Sequence, residues 1–475
     1  MTLKARRILY ISFMIVFFLA APPLVLYTAG FRYDFQYNRV VETGSLVVKS
    51  QPSGSSVHLN GEQYKNSTPT IINTILPGKI KLLVEKDGYH PWEKVLEIKA
   101  RVTAFQENIT LFAISVPVTA ALHPVRAYHW NQNQDKLAYV TTDNTLRVLN
   151  TLNNKDTLIA NLNTKADIEL AWSPYGDEFF FGRITPGGSK EYVIVNAQSL
   201  DRVIPLSSVT SGAVRSVQWD PKNRASLYAV RSASGELVRL NYLTATERVV
   251  FQGPVAAYHA DTNRIALIAE SRAPELQLLW INPSDQSTVH LLSHADAQEG
   301  HEFAATHSRN IALYHPARRE LTIIDPSVRP EVSENADNAT VIAGVREYVF
   351  TEDGSTLVYS DGFGIYTRQF TTPINVLPRI QNASVLVTRY SKPVSSLAAS
   401  LGTGHVFYGV DGELRASEVS APSDPWSTTL LPEAAGISDL AYLRRLNALM
   451  YIGADNTLLA LPLSLENSGA FPFGN

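Results

Sequence analysis

The densest set of side chains able to do chemistry is a histidine run, His290, His294, His301, His307 and His315, with Asp296, Glu299 and Glu302 among them. Neutral imidazole and carboxylate suit zinc and similar ions, which makes His294, His301 and Glu302 the metal candidates of the chain. Their spacing follows no metal-site pattern, and Ser293 to Gly300 reads as a solvated loop between structural units. A polar loop is therefore the expected reading, with no metal or cofactor assigned. Paired acids are the next possibility, because glycoside hydrolysis needs two carboxylates flanking the scissile bond. Asp220, Asp353 and Asp439 are candidates only if the fold brings them together. Asp353-Gly354, Asp361-Gly362 and Asp411-Gly412 each place one acid before a glycine, whereas a calcium loop supplies several spaced oxygens. They read as hairpin turns.

Other chemistries are excluded by composition. The chain of 475 residues contains no cysteine, so thiolate nucleophiles, Cys-ligated zinc and disulfides are all absent. There is no Gly-x-Ser-x-Gly elbow, no phosphate-binding Gly-x-x-x-x-Gly-Lys and no His-Glu-x-x-His helix. No catalytic residue is assigned, and a non-enzymatic role is expected. A formal net charge of −3 without a basic block gives no electrostatic basis for nucleic-acid binding.

The elements that would position any site begin with an apolar run. Ile8 to Leu26, preceded by Lys4, Arg6 and Arg7, rises roughly 28 Å as a helix, enough to span a bilayer. The basic cluster predicts a cytoplasmic tip at 1–7, a transmembrane anchor at 8–29 and an extracytoplasmic body. Pro22 and Pro23 interrupt the run near its outer end, and Tyr27, Phe31 and Tyr33 fall at headgroup level. A cleaved secretory signal is the rival reading, since Ile8 to Ala21 has signal-peptide length. Pro22 after Ala21 is a poor cleavage site, whereas Thr28 and Gly30 could form a small-residue one. Both readings export the body.

Residues 44–111 read as short strands between turn signals: Pro52-Ser53-Gly54, Asn60-Gly61, Leu76-Pro77-Gly78 and Asp87-Gly88-Tyr89. At Gly44, Pro52, Gly54, Val57, Asn60-Gly61, Thr68-Pro69, Leu76-Pro77-Gly78 and Gly88-Tyr89 the segment resembles a PEGA domain, a small β-sandwich-like module of bacterial and archaeal envelope proteins. The name-giving tetrapeptide here is Pro52-Ser53-Gly54-Ser55. The resemblance implies an envelope setting and a spacer or interaction role, with no catalytic residue to transfer. Tyr89 and Trp92 are expected to pack a core rather than form a carbohydrate platform.

From 112 to 464 a strand-rich phrase recurs with starts near Val125, Ile168, Ser216, Pro254, His301, Ala343, Tyr390 and Ile437, a spacing of about 38 to 48 residues that brackets four-stranded propeller blades. Trp172-Ser173-Pro174-Tyr175-Gly176-Asp177 resembles the Trp-Ser-Pro-Asp-Gly phrase of TolB-like propellers, with weaker echoes at Trp219-Asp220-Pro221 and Thr351 to Ser355. Pro and Gly shape the turn, and the Trp is expected to pack between neighbouring blades. Eight blades are expected, or seven if the unit near Tyr390 is an insertion. The last unit offers three strands, so Leu111 to Val118 is expected to supply its fourth and close the ring. Residues 465–475 form a tail. Two tandem β-sandwiches would explain the strand density but not the period.

The fold class is thus all-β, with one N-terminal transmembrane helix, a PEGA-type β-sandwich and a seven- or eight-bladed propeller. The expected function is a membrane-anchored binding scaffold whose partner is an envelope protein, peptide or cell-wall glycan. A propeller enzyme of glycosidase or lyase type, or an extracytoplasmic sensor, is the alternative.

Overall fold

The computed structural model describes residues 3–465 apart from 36–37, 163–167, 185–189, 200–202, 263, 271–275, 283, 285–286, 295–301, 308–309, 325–338, 352–354, 371–382, 401, 420–424 and 435. The chain divides into two compact units, Met1–Ile114 and Ser115–Asn475.

In the first unit the apolar run forms one helix, Leu3–Thr28, which continues through Pro22 and Pro23. Its stretch Arg6–Thr28, with a mean hydropathy of 2.3, is long and apolar enough to cross a membrane. A two-stranded hairpin, Phe31–Asp34 with Arg39–Glu42, follows directly. Two sheets then face each other. One places Gly44–Gln51 between the antiparallel Thr70–Ile75 and the parallel Thr103–Thr110. The other is ordered Glu62–Gln63, Ser56–Leu59, Gly78–Glu85 and Trp92–Ile98. Alternate residues of these strands, Leu46, Val48, Val57, Leu82, Val84 and Trp92, are fully buried, the period-two pattern of a sheet covered on one face. Gly44 has no room for a side chain, since a Cβ there would lie 2.5 Å from the Lys99 carbonyl oxygen.

The second unit consists, among the described residues, of eight four-stranded antiparallel sheets. Blades 1 to 7 span 125–161, 170–205, 214–251, 255–294, 302–343, 347–389 and 394–431, each with its strands in sequence order. The ragged unit near Tyr390 is a complete blade, so the count is eight. Blade 8 joins Ser438–Leu443, Ala448–Ile452 and Leu458–Pro462 to Val118–Thr119 from the start of the unit. An upstream strand closes the ring as expected, but at Val118–Thr119, which shares only Val118 with the expected Leu111 to Val118. Leu111, Phe112 and Ala113 are buried in the first unit, where the His90 amide donates to the Phe112 carbonyl at 2.8 Å and the Ile114 amide to Gly88 at 2.8 Å. Burial of those apolar side chains outcompetes their recruitment to the ring.

Each blade is two-faced, and its core is shared with a neighbour. Tyr139 and Leu149 of blade 1 cluster with Met450 and Leu458 of blade 8, whereas Val140 and Val148, on the other face of blade 1, cluster with Phe179 and Val193 of blade 2. Neither face could be buried without both neighbours, which is why the repeat closes on itself.

Candidate functional site

The ring presents two regions where chemistry-bearing side chains converge. The first is the channel lined by the innermost strands. Among the described residues, six of these strands carry a β-bulge near their start, between Val125 and Ala127, Arg215 and Gln218, Val255 and Ala257, Phe303 and Ala305, Val394 and Leu397, and Ser438 and Ala441. Ser216 and Asp439, inside two of the bulges, adopt positive φ of 53° and 50°. Bulges re-aim side chains at barrel rims and next to sites. The bulges also free backbone carbonyls for bonds between blades. The Tyr128 hydroxyl donates to the Asp439 carbonyl and to that of Met450 at 3.2 Å, while the Tyr258 hydroxyl donates to the carbonyls of Ser216 at 2.5 Å and Tyr228 at 2.7 Å. Gln218 Nε2 donates to the Tyr258 carbonyl at 2.9 Å and its Oε1 accepts from the Ala260 amide at 3.0 Å.

Charge at this channel is unevenly held. Burial raises the Glu347 carboxyl pKa, and the negative charge of Asp439 raises it further. Burial lowers the His129 imidazole, with Asp439 acting in the opposite sense. All three side chains, Glu347, His129 and Asp439, keep an exposed surface, so the shifts of Glu347 and His129 come from the packed channel wall around them rather than from full burial.

The second region is a cleft of about 580 Å³ between blades 1 and 2, lined by Asn133, Asp135, Lys136, Asn150, Lys155 and Asp177 among others. The turn after the first strand of each blade builds it. Asn131 Oδ1 accepts from the amides of Asp135 and Lys136, both at 3.0 Å, fixing the blade 1 turn. Lys136 Nζ then reaches across to Asp177 Oδ1 of blade 2 at 2.7 Å, with Asp135 at 3.7 Å. Gln198 Nε2 donates to the other Asp177 oxygen. With the cation committed to two acids, the remaining amides, the Lys155 ammonium and the exposed Leu152 are the groups that face solvent.

Among the described residues, those singled out in the sequence do not form one constellation. Asp220 is buried and receives Arg239 Nη2 at 2.5 Å and the Lys222 amide at 2.8 Å, which makes it the brace of the blade 3 turn. It follows its innermost strand, whereas Asp439 is near the start of its own, so the two lie at opposite ends of the channel wall. Asp353 lies outside the described residues, as do His301, Asp296 and Glu299. Ser293 and His294 belong to the outermost strand of blade 4, Thr288–His294, rather than to a loop. Glu302 opens the innermost strand of blade 5, Glu302–His307. Three interstrand spacings, on the order of 14 Å, thus separate the radial positions of His294 and Glu302. Among the described residues no group of three or more His, Asp or Glu is placed to hold a metal ion.

Of the three Asp-Gly turns, Asp353-Gly354 lies outside the described residues and the other two form turns. Asp361 Oδ1 accepts from the amides of Phe363 at 2.8 Å and Gly364 at 2.7 Å, and Asp411-Gly412 has φ of 51° and 78°, the left-handed pair of a tight hairpin. The tryptophans join the blades as expected and do so by hydrogen bonds as well as packing. Trp172 Nε1 donates to the His129 carbonyl and Trp219 Nε1 to that of Ala171, both at 2.9 Å.

Residues 43–111 match the PEGA domain family. The PEGA domain buries Tyr89 and Trp92, the latter completely, so both are packing residues. Its departure at Ser55 is accommodated locally, since Ser55 Oγ donates to the Pro52 carbonyl at 2.9 Å and the Ser55 amide to Thr68 Oγ1 at 3.0 Å. No curated protein matches the chain in sequence. Among solved structures, the β-propeller domain of Cps50 (Swd1) from Myceliophteria thermophila is 13% identical with a TM-score of 0.42, covering 72% of this chain and 97% of that one. The C-terminal WD40 domain of Sif2 is 16% identical with a TM-score of 0.46, covering 73% and 97%. The propeller architecture of this chain rests on its own eight sheets and their closure.

Proposed function

We propose that this chain is a membrane-anchored, extracytoplasmic binding scaffold of the cell envelope. In this reading the helix Arg6–Thr28 holds the chain in the membrane, Lys4, Arg6 and Arg7 keep its N-terminus cytoplasmic, and the PEGA domain serves as a spacer. The ring engages an envelope protein, peptide or cell-wall glycan without chemistry of its own. The observation that carries this reading is the polar cleft between blades 1 and 2. Its asparagine amides and the Lys155 ammonium match the amides of an extended peptide or the hydroxyls of a sugar, while Lys136 is already neutralised by Asp177 and Asp135. A rigid ring supplies that surface without reorganisation.

The test is retention of envelope components by the full chain in detergent micelles, with purified cell-wall sacculi assayed in parallel. Leu152→Trp fills the cleft and Lys155→Glu reverses its charge; both should abolish retention while leaving the melting temperature in place. Retention unchanged in both variants would move the binding surface elsewhere.

One observation favours a catalytic reading. Desolvation, and secondarily the negative charge of Asp439, raises the Glu347 carboxyl above its ordinary value, and a raised carboxyl is what the general acid of glycoside hydrolysis uses. Release of reducing sugar from envelope glycan, lost in Glu347→Gln, would support that reading; no turnover would leave the binding role.

A further inference from the structure

We propose that the hairpin Phe31–Glu42 is a second membrane contact, seated in the interfacial layer of the outer leaflet through Tyr33, Phe35 and Val40. This rests on the reading of Arg6–Thr28 as a membrane span.

The hairpin is tied to the end of that helix. Only Ala29 and Gly30 separate them, and the Gly30 carbonyl accepts from both the amide and the hydroxyl of Thr43, at 3.1 and 2.8 Å. Both ends of the hairpin are therefore fixed at the helix terminus. Arg32 Nη1 donates to the carbonyls of Tyr27 and Phe31, each at 2.8 Å, and its guanidinium carbon lies 3.6 Å from the centre of the Tyr27 ring. A cation there opposes the negative end of the helix dipole, and Tyr27 lies at the level where interfacial aromatics anchor a span. At its other side Arg101 pairs with Glu42 and holds the hairpin to the PEGA domain.

Beside the exposed Asn38 and Arg39, whose polar groups suit a headgroup layer, the hairpin exposes an apolar cluster. Tyr33 and Val40 are cross-strand partners, so they share one face. Phe35 packs edge-on against Tyr33 with ring centres 5.0 Å apart. These three are 46%, 51% and 83% exposed for Tyr33, Val40 and Phe35. Two strands of four residues make a hairpin that is marginal in water, and an aromatic cluster left open on it adds to the cost. Aromatic rings with one polar edge prefer the membrane–water interface. An outer leaflet beginning at the helix end would cover this face and stabilise the hairpin. It would also fix the tilt at which the PEGA domain leaves the membrane.

The chain has no cysteine, so single-cysteine probes report without background. Phe35→Cys, Val40→Cys, Phe17→Cys in the helix and Glu62→Cys on the PEGA domain are labelled with a polarity-sensitive fluorophore. The full chain is reconstituted in phosphatidylcholine–phosphatidylglycerol vesicles. Positions 35 and 40 should shift to the blue, resist iodide, and be quenched more by lipid carrying a nitroxide near its headgroup than near its chain end. Position 17 should show the reverse depth preference. If 35 and 40 are as open to iodide as 62 while 17 is protected, the hairpin sits in water and the proposal falls with the span intact. If iodide reaches 17 as well, the span reading fails and takes the proposal with it. Protection at 35 and 40 without nitroxide quenching would mean that another copy of the chain covers the face, which also overturns it.

Discussion

At the scale of residues, blade-to-blade hydrogen bonds and buried titratable groups set local stability. Trp219 donates its indole N–H to the Ala171 carbonyl while its ring lies 5.8 Å from Phe180 and 6.1 Å from Tyr242. Trp219→Phe should keep most of that packing but leave the carbonyl unpaired, for a loss of about 1 kcal/mol in urea unfolding. His405 is buried in blade 7, and desolvation pushes its pKa from 6.5 down to about 4, with Glu418 acting in the opposite sense. The folded value lies below the unfolded one, so the unfolded chain binds more protons between them. The associated stability is complete above about pH 6.5 and is lost as pH falls toward about 4. His405→Gln should flatten that part of the stability–pH profile measured by denaturant titration. An unchanged slope would mean that His405 is charged in the folded state.

At the scale of elements, the ring depends on a short closing strand. Val118 pairs with Ala460 and Thr119 with Leu459, and the Ala120 amide donates to the Leu458 carbonyl at 2.8 Å. Without this strand the outer edge of blade 8 is open, and the ends of the ring are left to side-chain packing and the few hydrogen bonds between blades 1 and 8, such as those of Tyr128 and Arg445. The double substitution Val118→Gly, Thr119→Pro should lower the melting temperature by several degrees; an unchanged melting curve would contradict closure by these residues. The blades were legible because each carries its own turn and strand pattern. Trp172-Ser173-Pro174, Trp219-Asp220-Pro221 and the three strands after Ile437 are local signals, and the eight starts fall at the observed blades. The closing strand was misplaced because the competition for Leu111 to Ala113 is decided by a distant turn at Gly88 to His90. The hairpin at Phe31–Glu42, the bulges of the innermost strands and the bonds made by Tyr128, Gln218 and Tyr258 depend on partners tens or hundreds of residues away. No period in the sequence marks them. The cleft between blades 1 and 2 was missed for the same reason, although Asn131 and Asp135 are conspicuous turn formers.

At the scale of the whole molecule, a basic-flanked apolar helix, a PEGA domain and a closed eight-bladed ring follow one another along a single chain. The account stands on the ring being held outside a membrane by that helix. Leu243, exposed on blade 3, is a suitable reporter because the chain has no cysteine of its own. Leu243→Cys is to be treated with a membrane-impermeant maleimide in cells stripped of their wall, and the labelled chain sized and extracted with alkaline carbonate. The account predicts labelling in intact cells, on a full-length chain that stays with the membrane. Labelling that appears only after lysis would place the ring inside and contradict the account at its centre.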